Sequence, residues 1–290
     1  MPKRISIIGC GAVGRSFGVA LRKAGYGIAA LASRDADNAK AAQALIGEGN
    51  VAQSVSEAAR AGDIIFITVP DSAVESVCNQ IAANGGFSRG RIVFHCSGAL
   101  SAEALASARK FGAAVAALHP LQSFASPSDA VQTVGGIVFT FQGDADAEPQ
   151  AREIVEKLGG KLFAISAEEK PLYHAASVFA SNYLVAVAQI ASSLLAKSGV
   201  PERESLKALL PLMRGTLDNL EKVGLPDALT GPIARGDIKT IEMHLRALRD
   251  LEPLLGEVYR ELGLAALRVA WEQGTLTEAQ AEEIESLLRH

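Results

Sequence analysis

Residues 9–14 read Gly-Cys-Gly-Ala-Val-Gly, between a short apolar run, Ile5-Ser6-Ile7-Ile8, and a helical pattern, Ser16-Phe17-Gly18-Val19-Ala20-Leu21. Three glycines at this spacing, after a strand and before a helix, demand one local geometry. Gly9 allows a tight turn, Gly11 lets backbone approach a pyrophosphate, and Gly14 lets helix and strand pack closely. The phosphates then face a helix N-terminus, where unpaired N–H groups and the helix dipole favour negative charge. The spacing predicts a dinucleotide-binding fold with Gly9, Gly11, Ala12, Val13 and Gly14 as its cofactor loop.

About twenty residues further on, where such folds carry an acidic ribose ligand, this chain has Ser33-Arg34. A carboxylate there would favour a ribose 2′-hydroxyl. A small hydroxyl beside a guanidinium favours a 2′-phosphate. The pair predicts NADP(H) rather than NAD(H), with Asp35 one step away as the competing ribose ligand.

The rest of the first half alternates short apolar runs with helical stretches. The runs Ile28–Ala32, Ile64–Val69, Ile92–His95, Ala113–Leu118, Gly136–Phe141 and Lys161–Ile165 lack alternation, as strands buried on both faces do. Helical stretches at 35–45, 54–59, 72–82, 102–110 and 147–158 separate them. The pattern predicts an α/β fold, a doubly wound Rossmann-type sheet over residues 1–165, followed by an all-helical domain over 166–290. The Ser-, Pro- and Asp-rich segment Leu121–Val134 is the expected long loop.

At 290 residues, with 49% hydrophobic and 21% charged residues, the chain can bury two substantial cores. A net charge of −4, with no basic cluster beyond Lys3-Arg4, argues against nucleic acid as a partner. Cys10, Cys78 and Cys96 show neither CxxC spacing nor an even count. That predicts no zinc site, no disulfide framework and a reducing cytoplasm. A strand within a few residues of Met1 leaves no room for a signal peptide. Residues 171–196 lack charge over a length that could span a bilayer, yet Tyr173, His174, Ser177, Ser181, Asn182 and Gln189 are spread through them. Such groups are costly in hydrocarbon, so this stretch is expected to be a helix enclosed by other helices of the protein.

Ligands of open α/β sheets lie beyond the carboxyl ends of the strands. Val69 and Pro70 close one strand there, Ser97-Gly98 another and His119-Pro120 a third. Asp71 or Ser72 is expected to cap the following helix, and Ser97 to border a nicotinamide. His119 is either a structural hydrogen-bonding histidine or a catalytic one. Lys170, His174, Ser177 and Ser181 recur at intervals of four, three and four, on one helix face, with Asn182 turned off it. Bordering a cleft between domains, His174 would transfer the proton that accompanies a hydride, Asn182 would orient the substrate and Lys170 would bind it; the alternative for His174 and Asn182 is a hydrogen-bond network within the core. Thr230-Gly231-Pro232 and Asp237, with Thr240 in the next turn, read either as an interhelical turn or as a helix N-terminus that receives a substrate carboxylate.

Taken together, these motifs resemble the 6-phosphogluconate dehydrogenase-like superfamily, with its β-hydroxyacid dehydrogenases, ketopantoate reductase and pyrroline-5-carboxylate reductase. Four stretches are more closely similar to bacterial Rossmann-like NADP oxidoreductases with a C-terminal domain of unknown function. They are Gly9–Gly14, His119–Phe124, Tyr173-His174-Ala175-Ala176 through Asn182-Tyr183, and Leu229–Asp237. The resemblance implies an NADP(H)-dependent oxidoreductase acting on a small anionic carbonyl or imine compound, paired with its twin through the helical domain as a homodimer. Two departures stand out. The catalytic lysine of the β-hydroxyacid enzymes and ketopantoate reductase, four residues before the asparagine that Asn182 matches, is Val178 here, so His174 or Lys170 would have to replace it; pyrroline-5-carboxylate reductases lack that lysine too. Pyrroline-5-carboxylate reductases receive the substrate carboxylate on a Ser-Pro-Gly-Gly-Thr-Thr-Ile stretch; Thr230-Gly231-Pro232 and Thr240-Ile241 are similar to its two ends, with four extra residues between them. Competing readings are a non-catalytic NADP(H)-binding sensor or assembly module and, more distantly, hydride exchange with a deazaflavin-type carrier.

Overall fold

The computed structural model describes residues 3–124, 134–249 and 251–290; most of the expected loop 121–134 lies outside them. The sheet half runs β1 (Arg4–Ile8), α1 (Ala12–Lys23), β2 (Gly27–Ala32), α2 (Ala36–Ile46), β3 (Asn50–Val51), α3 (Val55–Ala61), β4 (Ile64–Ile67) and α4 (Asp71–Ala83). It continues with β5 (Ile92–His95), α5 (Ala106–Arg109), β6 (Ala114–Pro120), β7 (Val138–Gly143), α6 (Glu148–Lys157), β8 (Lys161–Ala164) and α7 (Lys170–Ala180). The helices α8 (Asn182–Lys197), α9 (Glu202–Val223), α10 (Ile238–Arg249), α11 (Pro253–Gln273) and α12 (Glu278–Arg289) follow.

All eight strands form one sheet in the order β3-β2-β1-β4-β5-β6-β7-β8. Every pairing is parallel except β6 with β7. β1 lies between β2 and β4, so the strand order reverses there and a crevice opens beyond the carboxyl ends. The absence of polar alternation in the strands now has its cause. Ile64 and Phe66 of β4 enter the core on one face, and Ile65 and Ile67 enter the core on the other. Phe17, Phe66 and Phe94 stack through ring centroids 5.4 and 5.3 Å apart, all fully buried. Truncating such a ring to alanine costs about 3–5 kcal/mol.

The chain divides into two compact units, 1–182 and 183–290. Residues 166–182, grouped by the sequence pattern with the helices, therefore go with the sheet. The reason is packing: Lys170 is buried and reaches the carboxyl end of β5. The second unit has a small core of Ile233, Ile241, Leu267, Ala270, Ile284 and Leu288. Thr277 and Gln280 close the start of α12 as a reciprocal capping box.

The uncharged stretch departs from its expected setting. It is helical, breaks at Ser181, and is long and apolar enough to cross a bilayer by length and composition alone. Rather than being enclosed by neighbouring helices, α8 buries none of its residues and α9 buries only Ser205. An uncharged sequence signals that a helix needs cover; it does not say that the same chain supplies it.

Candidate active site at the strand ends

The glycine turn closes β1 as its spacing predicts. Gly9 adopts φ +106°, and a Cβ there would lie 2.6–2.7 Å from the Thr68 and Val69 backbone. A Cβ on Gly14 would collide with the Gly9 carbonyl oxygen. Thr68, at the end of β4, secures the turn by donating its hydroxyl to that carbonyl at 2.6 Å. Gly11 differs: nothing lies within 4 Å of the Cβ it lacks. Its bare backbone faces open space at the start of α1, which makes the cradle that a pyrophosphate fits. Ala12 and Val13 form the first turn of α1, half-buried.

At the rim, Ser33 is half-buried and Arg34 is exposed. Asp35 caps α2, accepting from the Asp37 N–H at 2.9 Å and from Asn38 at 3.1 Å. Its carboxylate is thus committed to the helix, and Ser33-Arg34 present a hydroxyl and a guanidinium suited to a phosphorylated ribose. Sequence reasoning missed Arg15, which ties the Cys10 carbonyl (2.9 Å) to Asn38 (2.8 Å) and so braces the loop against α2.

Beyond β4, Val69 is half-buried and Pro70 exposed. The expectation that Asp71 or Ser72 caps α4 is not met: the capping position is Pro70, with no side-chain cap bond. Asp71 instead accepts the Ser97 hydroxyl at 2.7 Å, linking the ends of β4 and β5. The Ser97 oxygen also accepts from the N–H groups of Ala99 (3.2 Å) and Leu100 (3.0 Å). Its side chain is fully used in shaping the turn, so only backbone remains there to border a nicotinamide. His95, missed by sequence reasoning, braces the same turn. Its Nδ1 accepts the Ser97 N–H at 3.1 Å, and its Nε2 lies 3.1 Å from the Ser101 carbonyl. Burial holds the ring down to about 4, so it is neutral near pH 7.

Three groups from β6 and α7 meet at this turn. The Lys170 ammonium lies 3.4 Å from the Ser97 carbonyl. A Cβ on Gly98 would be 2.8 Å from Nδ1 of His174 and 3.0 Å from Nε2 of His119, so both imidazoles pack on its bare Cα. Nδ1 of His174 is buried and has no hydrogen-bond partner among the described residues. Nδ1 of His119 is 2.7 Å from the Tyr173 hydroxyl, with the two rings edge to face. Burial, then the charges of Lys170 and His174, pushes His119 down to about 4. Burial also raises the Tyr173 phenol and lowers Lys170 to about 8, while Asp71 opposes the fall in Lys170. The predicted helix face thus holds for Lys170 and His174, whereas Ser177 turns back to the Tyr173 carbonyl. Sequence reasoning missed Tyr173 as the partner of His119, 54 positions away.

Other predicted residues lie elsewhere. Asn182 is exposed at the end of the first unit. Thr230 and Thr240 belong to the second unit. Thr230 borders an apolar cavity of about 310 Å³ with Pro232, His244 and Tyr259. Thr240 does not offer a free anion site: its N–H (3.2 Å) and hydroxyl (2.7 Å) both donate to Asp237, whose own carboxylate occupies that helix start. The reading as an interhelical turn is the one the geometry favours.

Comparison with known proteins agrees with this architecture. Residues 2–120 match the family model of a Rossmann-like domain, and residues 137–266 match that of a domain of unknown function, DUF2520. No curated protein matches the chain. Among solved structures, protein TM1727 from Thermotoga maritima is 29% identical, with a TM-score of 0.71 over 93% of this chain and 99% of its own. A reductive aminase from Aspergillus terreus in complex with NADPH and ethyl-5-oxohexanoate is 18% identical. Its TM-score is 0.61, over 100% of this chain and 93% of its own. Pyrroline carboxylate reductase from Plasmodium falciparum, with NADP bound, is 15% identical, with a TM-score of 0.57 over 98% of each chain.

Proposed function

We propose that this chain is an NADP(H)-dependent oxidoreductase that reduces a small anionic carbonyl or imine compound. The observation that carries the reading is the buried, unpartnered Nδ1 of His174 against Gly98, at the carboxyl end of a strand two places from the glycine turn. Buried polar atoms without partners are rare, and a catalytic role or a bound water or ion is among the reasons a fold keeps one. Gly9, Gly11, Ala12, Val13 and Gly14 would hold the pyrophosphate, and Ser33 and Arg34 the 2′-phosphate. Val69, Pro70 and the Ser97 backbone would border the nicotinamide. NADPH, when bound, supplies the hydride. His174 would exchange the accompanying proton, Nε2 of His119 would hydrogen-bond the substrate, and Lys170 would provide positive charge for an anion. Bound cofactors named for the reductive aminase and the pyrroline carboxylate reductase support the choice of NADP(H).

A second copy of the chain is the proposed partner. Leu184, Val185 and Val187 on α8 and Leu212, Leu217 and Val223 on α9 are all exposed, and an apolar surface of that extent marks an association site. Fluorescence titration should show tighter binding of NADPH than of NADH, and a panel of carbonyl and imine compounds should oxidise NADPH. His174→Ala should lower kcat about 100-fold, within the range of general acid–base catalysis, with NADPH affinity within about threefold. Absence of NADPH binding, or full activity in the variant, would reject the reading.

A further inference from the structure

The turn after β5 gathers a buried cation as well as two imidazoles. Lys170 is 1% exposed. Among the described residues its ammonium makes one long hydrogen bond, to the Ser97 carbonyl, and no ion pair. Asp71 is the carboxylate that acts on it through space, but Asp71 is exposed and already accepts the Ser97 hydroxyl. Among the described residues, the neighbouring imidazoles, thiol and phenol carry no negative charge. His95 and His119 are held neutral by burial, and burial keeps the Cys96 thiol and the Tyr173 phenol protonated. Nδ1 of His119 is hydrogen-bonded to the Tyr173 hydroxyl, which leaves Nε2 as the ring nitrogen that meets Gly98. The Ser97–Gly98 turn therefore combines an ammonium without an ion pair among the described residues, Nε2 of His119 and the unpartnered Nδ1 of His174. A buried charge lacking a partner is costly unless something else balances it.

Resting on the reductase reading, we infer that the substrate is a carbonyl compound and not an iminium: Lys170, His119 and His174 surround the place where an oxygen gains negative charge. Hydride supplied by NADPH, when bound, would add to the carbonyl carbon as the C=O π pair moves onto oxygen, and a ring N–H of His174 would supply the proton that completes the alcohol, leaving NADP+. In iminium reduction the hydride discharges a cation instead, and a buried ammonium disfavours that cation from the outset. Electrostatic stabilisation of developing charge is commonly the largest catalytic contribution.

The test uses the full chain with NADPH and matched pairs, 2-oxo acids against cyclic imino acids and cyclic ketones against cyclic imines. Carbonyls should exceed imines at least tenfold in kcat/KM. Lys170→Met should remove most of that preference with NADPH affinity within threefold, and Lys170→Arg should restore it. A preference for imines overturns the inference, as does an unchanged ratio in a folded Lys170→Met. A chain that reduces neither class loses the reductase reading, and the charge preference is then read from binding. The probes are tetrahydrofuran-2-carboxylate and proline, which share a ring and a carboxylate and differ in ring oxygen against ammonium. Quenching of NADPH fluorescence should show the ether at least tenfold tighter. Equal or tighter proline binding, or no response to either probe, overturns the charge assignment.

Discussion

β4 and α8 both read as apolar segments almost free of charge, and the molecule uses them in opposite ways. Every residue of β4 is fully buried, between strands on both sides and helices on both faces. No residue of α8 is buried, and Val185 is 70% exposed. A parallel strand finds its cover within the same unit, because the crossover helices that make it parallel also bury its faces. A helix has only its own backbone satisfied internally, and its apolar side chains still need another surface. The sheet unit therefore buries its apolar strands within one chain, whereas α8 and α9 leave theirs largely uncovered. Substitutions in the two regions should differ in what they damage.

The largest effect belongs to the sheet. Gly14→Ala drives a methyl into the Gly9 carbonyl. NADPH affinity should fall at least about 100-fold and stability by about 1–3 kcal/mol, the range for overpacking. Gly11→Ala meets open space, so affinity should fall comparably with unfolding unchanged. Denaturant titration beside NADPH fluorescence separates the two, and a Gly11→Ala chain that unfolds early would refute the cradle.

Acid should also act through the sheet unit. His95 is fully buried and its folded-state value, about 4, lies below the ordinary 6.5. The unfolded state thus binds a proton more readily. Stability from neutral His95 is complete above pH 6.5, is lost as pH falls through the window from 6.5 to 4, and amounts to about 3 kcal/mol at most. Urea midpoints at pH 7 and pH 4.5 should differ less in His95→Gln than in the parent chain. An equal acid loss in both would show that another group is responsible.

On the uncovered helix, Val185→Asp should leave the folded monomer within about 0.5 kcal/mol, as for an exposed position. If a second copy covers α8, the dimer dissociation constant should rise about 10- to 100-fold, reflecting roughly 1.5–3 kcal/mol for a buried valine. Sedimentation at several concentrations reads this directly. A variant that sediments as the parent does would remove α8 from any such interface.

These contrasts mirror what could be read from the amino-acid order. Gly9, Gly11 and Gly14 were legible because backbone geometry alone dictates their spacing, and β4 because two-sided burial erases alternation. β3, only Asn50–Val51, is too short to carry a period. Asp71 looked like a cap because a carboxylate after a strand reads identically whether it closes its own helix or bonds the next strand. The partnership of His119 with Tyr173 spans 54 positions and depends on β6 meeting α7, which no local pattern encodes. Lys170 was legible as a polar residue on the right helix face, but not as a buried cation, because burial depends on the unit to which α7 belongs.

The smallest effects sit side by side at the rim, where adjacent residues were rival candidates for the ribose. Asp35 donates nothing and accepts from Asp37 and Asn38, so Asp35→Ala should cost about 0.5–2 kcal/mol of stability as a lost cap. Both cofactors should weaken together, if at all. Arg34 makes no such local bond among the described residues. Arg34→Ala should leave unfolding unchanged and weaken NADPH by roughly 1.5–3 kcal/mol, the worth of a charge-assisted hydrogen bond, while NADH barely changes. Parallel titrations with both cofactors give the answer as a ratio, immune to small differences in folded fraction. Were Asp35→Ala instead to improve NADH selectively and Arg34→Ala to affect both cofactors alike, the capping carboxylate would be the ribose discriminator and the guanidinium a bystander.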